Sequence, residues 1–163
     1  RRSNVVKIAC VAQLVNVIAP IMTERGGPAW RQTIYYPYYF ASRFGRGTAL
    51  DLAISCPTYD SEQYAGVAYA DVAAVHTEDD GVTIFAVCRH PDEAVDLDID
   101  MIGFPGMRII DHQMMVHDDL QATNTRDHQD DVAPKQGAGA KLADGKLSVS
   151  LPPYSYQMIR LGR

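Results

Sequence analysis

The hydrophobic period of this chain changes once, at Gly45-Arg46-Gly47, and that change restricts the fold more than any other feature. Before it, apolar residues cluster in runs and at helical spacing; after it, they alternate with polar residues at period two. The cleanest stretch sets Val95, Leu97 and Ile99 against Asp96, Asp98 and Asp100, so one face is buried and the other solvated. Candidate strands cover 48–55, 67–76, 81–89, 94–100, 107–117, 146–151 and 154–161. Turn signals separate them: Asp79-Asp80-Gly81, His90-Pro91-Asp92, Gly103-Phe104-Pro105-Gly106, Asp144-Gly145 and Pro152-Pro153. Short strands at this spacing predict a mainly β fold, an antiparallel β-sandwich of jelly-roll type over residues 47–163. Residues 123–139 lack periodicity and are expected as a long surface loop.

Residues 1–46 follow a different plan. The apolar run 8–19, interrupted by Gln13 and Asn16, is expected as a buried helix capped by Ser3 or Asn4 and ended by Pro20. Polar amides inside it and the absence of an initiator Met argue against a secretory signal. The run is also shorter than the ~18–20 residues of a membrane span, so no membrane is expected as a partner. A strand-like stretch at 20–24, a Gly/Pro loop at 25–33 and an aromatic helix at 35–44 follow. Pro37 falls in the first turns of that helix, where its missing N–H costs little, and Gly45 and Gly47 end it. Helix, strand, loop and helix in this order form an α/β unit, with the loop at the strand's C-terminal end, where barrel enzymes carry their chemistry.

With 47% hydrophobic and 21% charged residues, the chain is neither disordered, collagen-like nor a coiled coil. Its net charge of −5 argues against non-specific nucleic-acid binding. That charge is unevenly spread. Residues 1–46 carry seven bases and one acid, whereas 60–131 carry seventeen acids and three bases. The division supports two units joined near residue 46. Three cysteines are too few, and odd in number, for a disulfide framework, which points to a reducing, cytoplasmic location.

Few side chains suggest chemistry. Glu24 lies at the active end of its strand, but Arg25 beside it makes a surface ion pair the plainer account. Glu62, Glu78 and Glu93 fall in turns or strand ends. Asp111-His112, His117-Asp118-Asp119 and Asp127-His128-Gln129-Asp130-Asp131 resemble a metal cluster on paper, yet a strand points His112 and His117 to opposite faces. No metal and no cofactor are expected. Cys10 and Cys88 read as small buried hydrophobes, and Cys56 as a turn residue with no activating His. Trp30 and Gln32 stand apart, because sugar sites pair an aromatic platform with amides that bind hydroxyls.

Three stretches carry a resemblance: 6–23 with its Gln13 and Asn16, Gly26-Gly27 with Trp30-Arg31-Gln32-Thr33-Ile34-Tyr35-Tyr36-Pro37, and His117-Asp118-Asp119-Leu120-Gln121-Ala122-Thr123-Asn124-Thr125 with the terminal Leu151-Pro152-Pro153-Tyr154-Ser155. Together they resemble the C-terminal portion of glycoside hydrolase family 51, the α-L-arabinofuranosidases. The resemblance implies a (β/α)8 barrel followed by a jelly-roll domain, with retaining hydrolysis of terminal arabinofuranosyl groups. Residues 1–46 then correspond to the terminal helix-strand-helix piece of the barrel. The family's two catalytic Glu lie on earlier barrel strands, so no catalytic residue is expected here. Gln32 matches a glutamine that contacts arabinose, and Trp30 is the weaker substrate-binding candidate, as loop packing or a flanking subsite. The implied partners are an arabinose-containing oligosaccharide, bound through the parent barrel, and the upstream barrel itself. Self-association is a further expectation, because the apolar helix needs cover. The alternative is a non-catalytic sandwich that binds glycans or supports a catalytic barrel. Tyr59, Tyr64, Tyr69, Tyr154 and Tyr156, scattered along the sequence, give that reading little support.

Overall fold

A computed structural model describes residues 2–163. Two short strands, β1 (Ile21–Thr23) and β2 (Ala29–Arg31), form a hairpin, and helix α1 (Tyr35–Phe44) follows. Then come β3 (Gly47–Ala49), β4 (Thr58–Tyr59), β5 (Val67–Ala68), β6 (Ala70–Thr77), β7 (Val82–Cys88), β8 (Val95–Asp100) and β9 (Arg108–Met115). The chain closes with β10 (Lys135–Gln136), β11 (Lys141–Ala143), β12 (Lys146–Leu151) and β13 (Tyr156–Gly162).

The strands assemble into a sandwich. One sheet has the order β10-β9-β13-β7-β6-β3, the other β11-β12-β8, and every named strand pair is antiparallel. The fold is therefore mainly β, as the alternation predicts. In β8 the pattern is realised residue by residue: Val95, Leu97 and Ile99 turn inward while Asp96, Asp98 and Asp100 are exposed. Ile84, Leu147, Leu151, Ile159 and Leu161 fill the space between the sheets, each at most 1% exposed. Burial of such side chains contributes about 1.5–3 kcal/mol apiece. Asp144 and Gly145, at φ of 51° and 73°, make a two-residue turn between the paired Ala143 and Lys146. Asp-Gly is suited to a turn that needs two positive φ angles.

Helix α1 covers the outer face of the larger sheet. Tyr36 and Phe40 are buried against Met115, Met158 and Tyr156, and Arg160 lays its guanidinium 4.3 Å from the Phe44 ring centroid. The helix runs as the sequence predicts, with Pro37 in its first turn and the Gly45 N–H donated to the Ala41 carbonyl.

Several expectations fail. The apolar run 8–19 is not a helix: among the described residues before β1 there is only an isolated parallel bridge between Val15 and Ile21. Gln13, Asn16 and Val17 adopt φ of 60°, 61° and 58°, a left-handed region that a right-handed helix excludes. Asn16 is instead a turn residue, its Oδ1 accepting the Thr23 N–H at 2.7 Å and its N–H donated to the Ile21 carbonyl at 2.8 Å. Val5, Ile8, Leu14, Val17 and Ile18 are consequently exposed. So is Cys10, expected to be buried; Cys88 is buried as expected. Strand 48–55 shortens to β3; residues 50–57 lie outside any strand, although the Leu50 N–H still donates to the Ala74 carbonyl. The loop expected over 123–139 contains β10, and β4 and β11 had no clear sequence signal.

Candidate functional site

The loop between β1 and β2 is held at its neck by the Glu24 N–H donating to the Pro28 carbonyl at 3.1 Å. Glu24 itself pairs with Arg126, Nε to Oε2 at 3.0 Å, rather than with its neighbour Arg25. Both partners are about half exposed, and a pair of this kind contributes little.

Trp30 and Gln32 are two residues apart at the end of β2, so they share a face. The structure brings both to one acceptor. Trp30 Nε1 donates to the backbone carbonyl of Asn124 at 3.2 Å, and Gln32 Nε2 donates to the same oxygen at 3.0 Å. The Gln32 N–H also anchors to the Pro20 carbonyl at 2.8 Å, tying the residue to the entry of β1.

Asn124 belongs to the long connection between β9 and β10 and is 1% exposed. Its side-chain amide makes three bonds. Nδ2 donates to the Arg31 carbonyl at 2.8 Å and to the Val132 carbonyl at 3.2 Å, and Oδ1 accepts the Val132 N–H at 2.7 Å. A buried amide that satisfies both of its ends is a rigid staple. It closes residues 124–132 into a loop and pins that loop to β2.

Arg31 points to the opposite side from Trp30 and Gln32. Its guanidinium lies 5.2 Å from the Tyr35 ring centroid, and the Tyr36 hydroxyl interacts with both Arg31 and Asp130. Burial, with the Asp130 charge second, pushes the Tyr36 hydroxyl above its ordinary pKa. The β1–β2 hairpin, α1 and the 124–132 loop are thus joined on both faces of β2. The sequence places Asn124 only within the resembling stretch and Asp130 only within a metal-like group; neither is read there as a link to β2 or α1, because their partners lie up to 94 residues away.

The candidate metal residues disperse. His112 is buried, its Nε2 2.7 Å from Gln157 Oε1, while Gln157 Nε2 donates to the Ser150 carbonyl of the other sheet at 3.0 Å. His117 lies beyond β9, with Nδ1 accepting the Asp119 N–H. No group of three or more His, Cys, Asp or Glu placed to hold a metal occurs among the described residues. Cys56 is half-buried, its sulfur accepting the Ala70 N–H.

The tyrosines are less scattered than their sequence positions suggest. Tyr59, Tyr69, Tyr154 and Tyr156 line one cleft of about 720 Å³, which Thr33 also borders. Tyr59 and Tyr69 lie 4.9 Å apart between ring centroids, and Tyr69 packs on His90 at 4.4 Å. Tyr64 is exposed outside this cleft.

The described residues thus form an antiparallel sandwich with a helix on the outer face of its larger sheet, joined through Asn124 to the Trp30/Gln32 hairpin. The family model described as "Alpha-L-arabinofuranosidase C-terminal domain" matches residues 1–155, and the chain belongs to that family. An intracellular exo-α-(1→5)-L-arabinofuranosidase of Halalkalibacterium halodurans is 48% identical over 164 residues, which are 100% of this chain and 32% of that protein. A Bacillus subtilis protein of the same description is 44% identical over 96% of this chain and 31% of its own length. A family 51 α-L-arabinofuranosidase structure from Bifidobacterium longum superposes with a TM-score of 0.86 at 36% identity, over 93% of this chain and 30% of that one. The chain spans about a third of the length of these relatives. A family 51 structure from Thermotoga petrophila, at TM-score 0.83 and 21% identity over 98% of this chain and 35% of that one, shares the fold.

Proposed function

We propose that this chain is the C-terminal portion of a retaining α-L-arabinofuranosidase that releases terminal arabinofuranosyl groups from arabinan- or arabinoxylan-type oligosaccharides. Residues 1–46 are the last part of its catalytic barrel and 47–163 its β-sandwich. The observation that carries this reading is the Trp30/Gln32 rim, held against a sandwich loop through the Asn124 carbonyl. Such an arrangement fixes an amide and an indole at the strand end where a barrel presents its substrate.

Retaining hydrolysis needs two carboxyl groups about 5 Å apart, one as nucleophile and one as acid/base. Glu24 is engaged with Arg126, and Glu62, Glu78 and Glu93 lie in bends or turns between strands. The resemblance to family 51 supports placing the catalytic pair on earlier barrel strands, outside this chain. Gln32 binds the arabinosyl group by hydrogen bonding, and Trp30 flanks it. Relatives described as intracellular support a cytoplasmic location; among the described residues no helix is long and apolar enough to cross a membrane. The complete protein should release arabinose from an aryl α-L-arabinofuranoside, and the 163-residue chain alone should not. Release by the isolated chain would overturn this assignment of roles.

The Tyr59/Tyr69/Tyr154/Tyr156 cleft favours a second reading, in which the sandwich itself binds glycan through aromatic stacking. Calorimetric titration of the chain with arabino- and xylo-oligosaccharides separates the two. Heat that disappears in Tyr69→Ala supports a glycan-binding cleft, and no heat leaves the sandwich a supporting role.

A further inference from the structure

Gln32 can meet a sugar in two ways, and only one is compatible with its surroundings. A carboxamide offers an acceptor oxygen at one end and two donor hydrogens at the other. A backbone carbonyl oxygen only accepts. Because the Gln32 amide lies 3.0 Å from the Asn124 carbonyl oxygen, the NH2 end must be the one turned toward the sandwich. That assignment follows from the partner's chemistry and not from the side chain's shape. Gln32 Oε1 has no hydrogen-bond partner among the described residues, so it is the end offered to a ligand.

The Asn124 carbonyl is in turn held by its own side chain. That side chain binds Arg31 in β2 and Val132 across the loop, so the carbonyl cannot swing away from the rim without breaking three partly buried hydrogen bonds. Trp30 Nε1 shares the same oxygen, which couples the indole's position to the amide's. The strand that carries the rim and the sandwich loop that orients it are nearly 100 residues apart in sequence, yet they form one hydrogen-bonded unit.

We propose that Asn124 is a positioning residue for substrate recognition. Held by Arg31 and Val132, it fixes the Gln32 amide and the Trp30 indole through its backbone carbonyl, so that Gln32 presents an acceptor oxygen to a donating sugar hydroxyl. The sandwich is then part of the specificity apparatus, reaching the site through one loop. This inference rests on the reading that Gln32 contacts substrate.

The test uses the complete enzyme with an aryl α-L-arabinofuranoside. Gln32→Ala examines the underlying reading: a fall in kcat/KM of roughly tenfold or more is expected for loss of a buried polar contact, and an unchanged value removes that reading and this inference with it. Given that fall, Asn124→Ala should lower kcat/KM by a comparable factor, and the Gln32→Ala/Asn124→Ala double variant should lose clearly less than the two single losses combined, because Asn124 acts in large part through Gln32. Full additivity would overturn the proposal, as would wild-type kinetics in a folded Asn124→Ala enzyme. Gln32→Glu keeps the acceptor but cannot donate to the Asn124 carbonyl unless protonated. It does not depend on whether the Asn124 variants fold. Losses close to those of Gln32→Ala support the anchoring role, whereas near-wild-type kcat/KM at pH 7 would refute it.

Discussion

Phe40 of α1 lies parallel to Tyr156 of β13, the ring centroids 6.4 Å apart and the planes 6° from coplanar in orientation. Phe40 is 7% exposed and packs in a cluster with Tyr36, Met115 and Met158. A helix from residues 1–46 thus shares a core with a strand from the end of the chain. Phe40→Ala should destabilise the chain by about 3–5 kcal/mol, the range for truncating a buried phenylalanine. Urea denaturation of the chain checks this, and a loss below about 1 kcal/mol would mean that α1 is not a structural part of the sandwich.

The buried pair His112 and Gln157 links the two sheets. Since the Ser150 carbonyl must accept from Gln157 Nε2, Gln157 Oε1 faces His112, and His112 Nε2 carries the proton of that 2.7 Å bond. Gln157→Leu leaves a buried donor unmet and should cost about 1–3 kcal/mol. Gly137→Ala tests the same place, because a Cβ there would overlap the His112 imidazole at Nε2. His112 is 3% exposed and has little room to yield, so a loss of about 1–3 kcal/mol is expected from overpacking. Thermal melts of the two variants read these effects.

Burial pushes the Tyr156 hydroxyl far above its ordinary value of 10.0. In the unfolded chain that hydroxyl ionises near pH 10, while in the folded chain it stays protonated. Above pH 10 the unfolded state therefore binds fewer protons than the folded state, and stability falls as pH rises. The contribution is fully present below pH 10. Its loss approaches about 1.4 kcal/mol per pH unit. Tyr156→Phe should flatten the decline between pH 10 and 12; an unchanged slope would show that Tyr156 titrates normally in the folded chain.

The exposed side chains of Val5, Ile8, Leu14, Val17 and Ile18 form an apolar stretch before β1. The isolated chain should self-associate through it. Sedimentation velocity of the chain should show concentration-dependent association that weakens in Leu14→Asp/Val17→Asp. A monodisperse monomer at all concentrations would contradict this.

The strands that were legible in the sequence are those whose partners enforce alternation. In β8, inward Leu97 faces Val149 of β12, and outward Asp98 faces Ser148, so the pattern and the pairing coincide. Helix α1 was equally plain, because Gly45 and Gly47 punctuate an aromatic run. Residues 8–19 were misread, since an apolar run states a demand for cover without stating a conformation. Asn16, read as one face of a helix, is the residue that turns the chain back onto Thr23. Trp30 and Gln32 stand out in the sequence by residue type and spacing, and the structure brings both to one carbonyl. The Asn124 staple was not legible, because a lone asparagine in an aperiodic loop carries no local signal of a partner more than ninety residues away.

The central claim is that Gln32 binds the arabinosyl group at the rim of the parent enzyme's pocket. The most direct test is the steady-state kinetics of Gln32→Ala in the complete protein on an aryl α-L-arabinofuranoside. The predicted result is a folded enzyme whose kcat/KM falls by an amount equivalent to about 1–3 kcal/mol. A folded Gln32→Ala enzyme with unchanged turnover and affinity would contradict it.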